Sequence, residues 1–336
     1  MSTTAILDQD LGGGPSAPPA DAPRPARRDS VRAWPLPDQI AYWLCWAAGI
    51  AMCLIALGTV LFMLLKGISY LKLSLLVTSP KASGFNQATS GGFLDPIEGT
   101  LLLTAIGTVV AAPIGIAVAS WLTEYGRPSW LARAVDSAVE MVAGAPSVVL
   151  ALFGLLVFSR PALAFLSQTS AGGSVFARSF INAGLIMSLI ALPLIVGSTR
   201  EALSQVPRHV REASYALGKT KATTIWRVLL PASRPGIASG ITLGMGRIIG
   251  DTAIVVFLLG STLRIEPASG APVLSLLRGT GSTLTSYVYE NSPAGEGDAP
   301  QKAYVAAFVL LMLVLAINAL AMRLGRGKGE AVRWTR

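Results

Sequence analysis

Six stretches of this 336-residue sequence stay apolar for about 20 residues or more, the length a helix needs to cross a hydrocarbon core. They are 40–65, 99–123, 139–159, 180–199, 236–261 and 303–322. Their apolar residues run continuously instead of alternating, which selects helices over barrel strands. Only 13% of residues are charged, against about a quarter in soluble domains. The expected fold is therefore an all-α integral membrane protein with six transmembrane helices. The first span starts too far from Met1, and is too long, for a cleaved signal peptide.

Basic residues orient the spans. With the N-terminus inside, the cytoplasmic segments carry 18 Lys and Arg and the outer loops carry 8. That asymmetry places both termini in the cytoplasm of a multi-pass protein of the cell membrane. The net charge of +9 is then a topology signal and a contact with lipid headgroups, not a nucleic-acid surface. Residues 1–38 form a Pro-, Ala- and Gly-rich basic tail that cannot build a core and is expected to be disordered. Residues 39–323 form the membrane domain and 324–336 a second cytoplasmic tail. Loop 66–98 has room for a short re-entrant or interfacial piece, and loop 262–302 reads as irregular. Cys45 and Cys53, eight residues apart in one span, are beyond disulfide reach and read as small packing residues. His209 is the only histidine, so no Cys/His metal set exists.

The inside loop 200–235 is built differently. Two short helices, 200–217 and 220–229, are expected to meet at Gly218, which can end a helix in the left-handed conformation. Pro231 and Pro235 are expected to stop the second helix before the fifth span. Glu212-Ala213-Ser214, three residues, Gly218, nine residues, then Val228-Leu229-Leu230-Pro231 keeps in full the spacing of the coupling pattern of ABC importer permeases. Ser214 and Val228 depart from it conservatively. Such a projection can seat in a groove of a soluble ATPase and transmit its motion. The plain alternative is a surface helical hairpin. Ala213 to Thr220 also fits a relaxed phosphate-loop pattern, but a helix precedes it where a strand is required.

Arg247 and Asp251 lie about halfway along the fifth span, four residues apart, and are expected to share a helix face. Ionisable groups at that depth face a cavity or each other. Two readings stand: a pair locking two spans, or an Arg247 that meets an anion, with Asp251 balancing or gating it. Gly240, Gly244, Gly246 and Gly250 are spaced for close helix packing. Pro113, Pro146 and Pro193 fall within the second, third and fourth spans and are expected to kink them.

From about residue 90 to 323 the chain resembles the permease subunits of phosphate-specific ABC importers, the PstA type more closely than the PstC type. The resemblance is carried by Gly99-Thr100-Leu101, Ala112-Pro113-Ile114-Gly115-Ile116, Leu122-Thr123-Glu124-Tyr125, Ala145-Pro146-Ser147, Ala191-Leu192-Pro193 and Arg200-Glu201-Ala202-Leu203, running into the coupling pattern. It implies a type I ABC importer permease (MetI-like) fold. It also implies a second permease subunit, two ATPase subunits holding ATP and Mg, and an extracytoplasmic phosphate-binding protein, with no cofactor or catalysis on this chain. Glu212, Ala213, Gly218, Leu230 and Pro231 would then couple to the ATPase. The family's membrane motif Arg-x-x-Gly-Glu-Thr is matched by Arg247, Gly250 and Thr252, with Asp251 in the Glu position. The resemblance thus places Arg247, Asp251 and Thr252 on the translocation pathway. The residues themselves leave open molybdate, tungstate or sulfate as cargo, and a membrane subunit that mainly signals phosphate status.

Overall fold

In the computed structural model the described residues are 34–68, 71–79, 92–126, 129–167, 177–260, 265, 272–292 and 300–325. Residues 1–33 and 326–336, which hold most of both predicted tails, lie outside them. The chain divides into two units, 1–59 and 60–336. The described part of the first unit is the N-terminal portion of α1, Leu36–Ile68. Its start carries an aromatic cluster in which Tyr42 lies 6.0 Å from Trp34 and 5.7 Å from Trp43 between ring centroids. Cys45 and Cys53 are both free there and exposed among the described residues.

The second unit is organised around one helix. In chain order its main elements are α2 (Leu94–Glu124), α3 (Trp130–Gly144), α4 (Ser147–Phe158) and α5 (Phe180–Ser204). Then come α6 (Arg208–Ala216), α7 (Lys221–Thr224), a π-helical turn (Ile225–Leu229), α8 (Leu230–Ala232) and α9 (Arg234–Gly250). The series ends with α10 (Ala253–Leu258), α11 (Pro272–Arg278), α12 (Leu284–Asn291) and α13 (Pro300–Gly325). The central helix is α5: 61% of its apolar window is buried, against 28% for α2 and 17% for α13. Met187, Ala191 and Ile195 of α5 share one core with Leu103 and Ala111 of α2, Ile248 of α9 and Ile254 and Leu258 of α10.

Small residues let α9 lie against α5. A Cβ on Gly240 would come 2.8 Å from that of Ser198, and one on Gly244 would come 3.0 Å from Ile195 Cγ1. The Ser198 hydroxyl donates to the Gly236 carbonyl at 3.0 Å, closing the same seam. Backbone approach of this kind replaces the hydrophobic driving force that helices lack in lipid.

Among the described residues, four helices are long and apolar enough to cross a membrane uninterrupted: α1, α2, α5 and α13. The third expected span is broken. α3 and α4 meet at a 106° bend, and α4 has only 12 residues. Pro146 supplies the cause, since the residue before a proline is pushed out of helical geometry; Ala145 has φ −72° and ψ 131°. Pro113 and Pro193, by contrast, sit inside uninterrupted α2 and α5. The fifth span is broken as well, between α9 and α10 at Asp251-Thr252. The loop expected to be irregular, 262–302, contains α11 and α12. α12 starts with a reciprocal cap between Thr283 and Ser286. It buries Tyr287 edge-on against Phe93, 5.4 Å between centroids, and burial pushes the Tyr287 phenol up to about 12. In loop 66–98 a 3₁₀ turn forms at Leu73–Leu76, and residues 80–91 lie outside the described part.

Candidate functional site

The projecting segment begins later than the sequence suggests. Residues 200–204 continue α5, and Pro207 starts α6 as its N-cap residue, because a helix N-terminus has no use for the missing N–H. α6 ends at Gly218 with φ +72°. There the amide of Lys219 bonds the Ser214 carbonyl at 3.2 Å and that of Gly218 bonds the Tyr215 carbonyl at 2.9 Å. These two bonds form a Schellman closure, which needs the left-handed residue. Thr220 then caps α7 by accepting from the Thr223 amide at 3.3 Å.

Pro231 does not stop the next helix. The chain widens into the π turn Ile225–Leu229 and continues through α8 to a break at Ser233. Proline lacks the N–H that would close an α-helical bond, and a wide turn re-registers the carbonyls before it. Leu203, Val206, Ile225 and Leu229 form a small core beneath the segment, with Leu230 packed against it. Glu212, Ala213 and Gly218 face outward, together with Leu217 and Trp226, which are 76% and 74% exposed.

Among the polar ties that hold this segment are two that were not read from the sequence. Ser214, which stands where the coupling pattern has Ala, is buried with its hydroxyl 2.8 Å from that of Thr224, joining α6 to α7. Arg211 reaches three groups. Its Nε lies 3.1 Å from Glu124 Oε1 at the end of α2, and its terminal nitrogens donate to the Val206 carbonyl and, at 2.8 Å, to that of Leu203. Glu124 stands in a stretch that carries the resemblance and Arg211 directly precedes the coupling pattern, but nothing in their separation of 87 residues signals the contact.

At the broken fifth span, Asp251 has φ −85° and ψ 121°, so it does not share a helix face with Arg247. Its Oδ1 accepts from the Ile254 amide at 3.0 Å and caps α10. Asp is among the best residues for that task, which accounts locally for an Asp in the Glu position. Asp251 Oδ2 is 3.9 Å from Arg247 Nη2, the outer edge of ion-pair range. The Asp251 side chain is 4% exposed and that of Arg247 is 49%. Thr252 is half-buried beside the cap. Unlike Gly240 and Gly244, a Cβ on Gly246 or Gly250 would meet nothing within 4 Å. Leu243, Gly246, Arg247 and Gly250 thus form an open stripe on the face of α9 turned away from α5. No group of three or more His, Cys, Asp or Glu that could hold a metal ion occurs among the described residues.

Residues 111–327 match the family described as "Binding-protein-dependent transport system inner membrane component". The chain is a member of that family, a multi-pass membrane component of an ABC transport system. It is 31% identical over 315 residues to the phosphate transport system permease protein PstC of Mesorhizobium japonicum, covering 88% of this chain and 93% of that one. It is 34% identical over 229 residues to PstA 1 of Mycobacterium tuberculosis, covering 68% and 69%. A PstC of Xylella fastidiosa is 28% identical over 260 residues, covering 71% and 76%. The similarity is thus shared between PstA and PstC. Among solved structures, a bacterial ABC transporter involved in alginate import matches with TM-score 0.57 at 18% identity, over 88% of this chain and 99% of that one. The MetNI methionine transporter matches with TM-score 0.52 at 21% identity, over 70% and 95%. These establish the type I importer permease fold.

Proposed function

We propose that this chain is a permease subunit of an ATP-driven phosphate importer, forming half of the translocation pathway. The observation that carries the anion reading is the state of Arg247. A guanidinium half-exposed at a helix break, on a face cleared by Gly246 and Gly250, offers several directed donors to a tetrahedral oxyanion. Its contact with Asp251 is long, at the outer edge of ion-pair range. An entering oxyanion can therefore take over the guanidinium while Asp251 keeps its bond to the Ile254 amide. Phosphate as the cargo, in place of another oxyanion, is supported by the relatives, whose names are those of phosphate permeases of both types.

The same reading brings the partners. A second permease closes the open stripe of α9, and two ATPase subunits carry ATP and Mg. An extracytoplasmic phosphate-binding protein docks outside, both termini lie in the cytoplasm, and this chain does no covalent chemistry. Glu212, Ala213, Gly218, Leu217 and Trp226 form the outward surface for the ATPase, with Leu230 and Pro231 fixing its base. ATP-dependent uptake of labelled phosphate by vesicles holding the assembled transporter tests the proposal. Uptake that resists unlabelled molybdate and sulfate is expected. Uptake of either competitor in place of phosphate would keep the importer and overturn the cargo.

A further inference from the structure

We propose that Arg211 is a positioning residue that makes α2 move as one body with the projecting segment. This rests on reading that segment as the coupling element. The segment is continuous in sequence with α5 at one end and α9 at the other, so motion reaches those helices through the chain. It has no such link to α2. A cavity of about 720 Å³ lies between the segment and the cytoplasmic half of α2, lined among others by Pro113, Trp121 and Tyr125 on one side and Trp226, Pro231 and Arg234 on the other. Apolar packing is interrupted there.

Arg211 spans that gap with directed bonds. The guanidinium holds Glu124, the last residue of α2, and at the same time the Leu203 carbonyl in the last turn of α5 and the Val206 carbonyl just beyond that helix. Glu124 sits at the negative end of its own helix dipole, where a carboxylate is disfavoured unless a cation offsets it. The side chains are only 17% and 9% exposed, so separating the pair would leave a poorly solvated charge on each side. The tie is local, polar and hard to open.

Its consequence lies about 25 Å further along α2, at 1.5 Å per residue. A Cβ on Gly107 of α2 would come 2.9 Å from Ile248 Cδ1, and Ile248 is the residue after Arg247. Glu124 is thus joined through the uninterrupted helix α2 to the packing directly behind Arg247. A displacement of α6 would move the wall of the site as well as the loop.

The test uses the assembled transporter in vesicles, with uptake and ATP hydrolysis measured together. Arg211→Gln and Glu124→Gln are each expected to lower phosphate moved per ATP about tenfold. The double variant should do no worse than either single one, because both remove the same tie. Arg211→Lys, which keeps the charge but not the fork, should recover part of the loss. In a background lacking Cys45 and Cys53, spin labels at Ala117→Cys and Ala216→Cys should keep one separation with and without ATP. Arg211→Gln should make that separation depend on ATP. An unchanged ratio together with an unchanged distance would overturn the proposal. Failure of both Gln variants to assemble would also overturn it, by making the tie structural only. Gly218→Val separates this from the underlying reading: a normal ratio there would defeat the coupling assignment itself, whatever Arg211 does.

Discussion

The projecting segment 205–233 and the break in the fifth span differ in how far one chain completes them. In the segment, polar groups close on each other: Arg211 with Glu124 and two carbonyls, Ser214 with Thr224, Thr220 with the α7 amide. Its shape is finished and its outward face is a surface. At the break, Asp251 is satisfied as a cap while Arg247 remains half-exposed beside two glycines on which a Cβ would meet nothing within 4 Å. On the proposed function, the first element transmits force, and the second receives the anion with another subunit completing the site.

The largest effect expected from this contrast is on α9 itself. Gly→Ala in a helix interior gains about 1 kcal/mol of propensity, so the surroundings decide the sign. At Gly240 the new methyl meets Ser198 at 2.8 Å, and overpacking costs about 1–3 kcal/mol. Gly240→Ala should therefore lower the melting temperature in detergent, whereas Gly246→Ala on the open stripe should leave it unchanged or raise it. Equal losses at both would show that the stripe is packed after all.

An effect of similar size is expected at Gly218. Its φ of +72° is strained for any β-branched residue, at a cost of about 1–3 kcal/mol. Gly218→Val should reduce uptake per ATP several-fold while the membrane core stays folded, which a protease-protection assay would check. Normal coupling would mean that the end of α6 is not part of the ATPase contact.

The finest distinction concerns Asp251. If capping α10 is its main task, Asp251→Asn, which keeps the acceptor, should outperform Asp251→Glu, which keeps only the charge. Losing a cap costs about 1 kcal/mol, so uptake rates should differ by roughly fivefold. The reverse order would return Asp251 to the role of a charge balancing Arg247.

Much of this was legible in the sequence, and the failures share a cause. The uninterrupted spans α1, α2, α5 and α13 were visible because a long apolar run has one stable form in lipid. The broken ones were not, since hydropathy is blind to a single residue that leaves helical geometry. Ala145 before Pro146 turns the chain by 106°, and Asp251 caps a new helix only six residues long. The turn at Gly218 could be read from glycine's conformational freedom. The start of α6 could not, because Arg200 to Ser204 suit a helix equally well whether they end α5 or begin the next. Arg211 and Glu124 each stood in plain view, but their contact exists only once α2 and α6 are brought together.

The account turns on Arg247 as the group that meets the anion. The most direct measurement is phosphate uptake and ATP hydrolysis by the assembled transporter carrying Arg247→Ala. A complex that assembles, hydrolyses ATP and moves no phosphate is the result predicted. Uptake near that of the unaltered protein, or a complex that no longer assembles, would contradict it and leave Arg247 as one half of a structural pair.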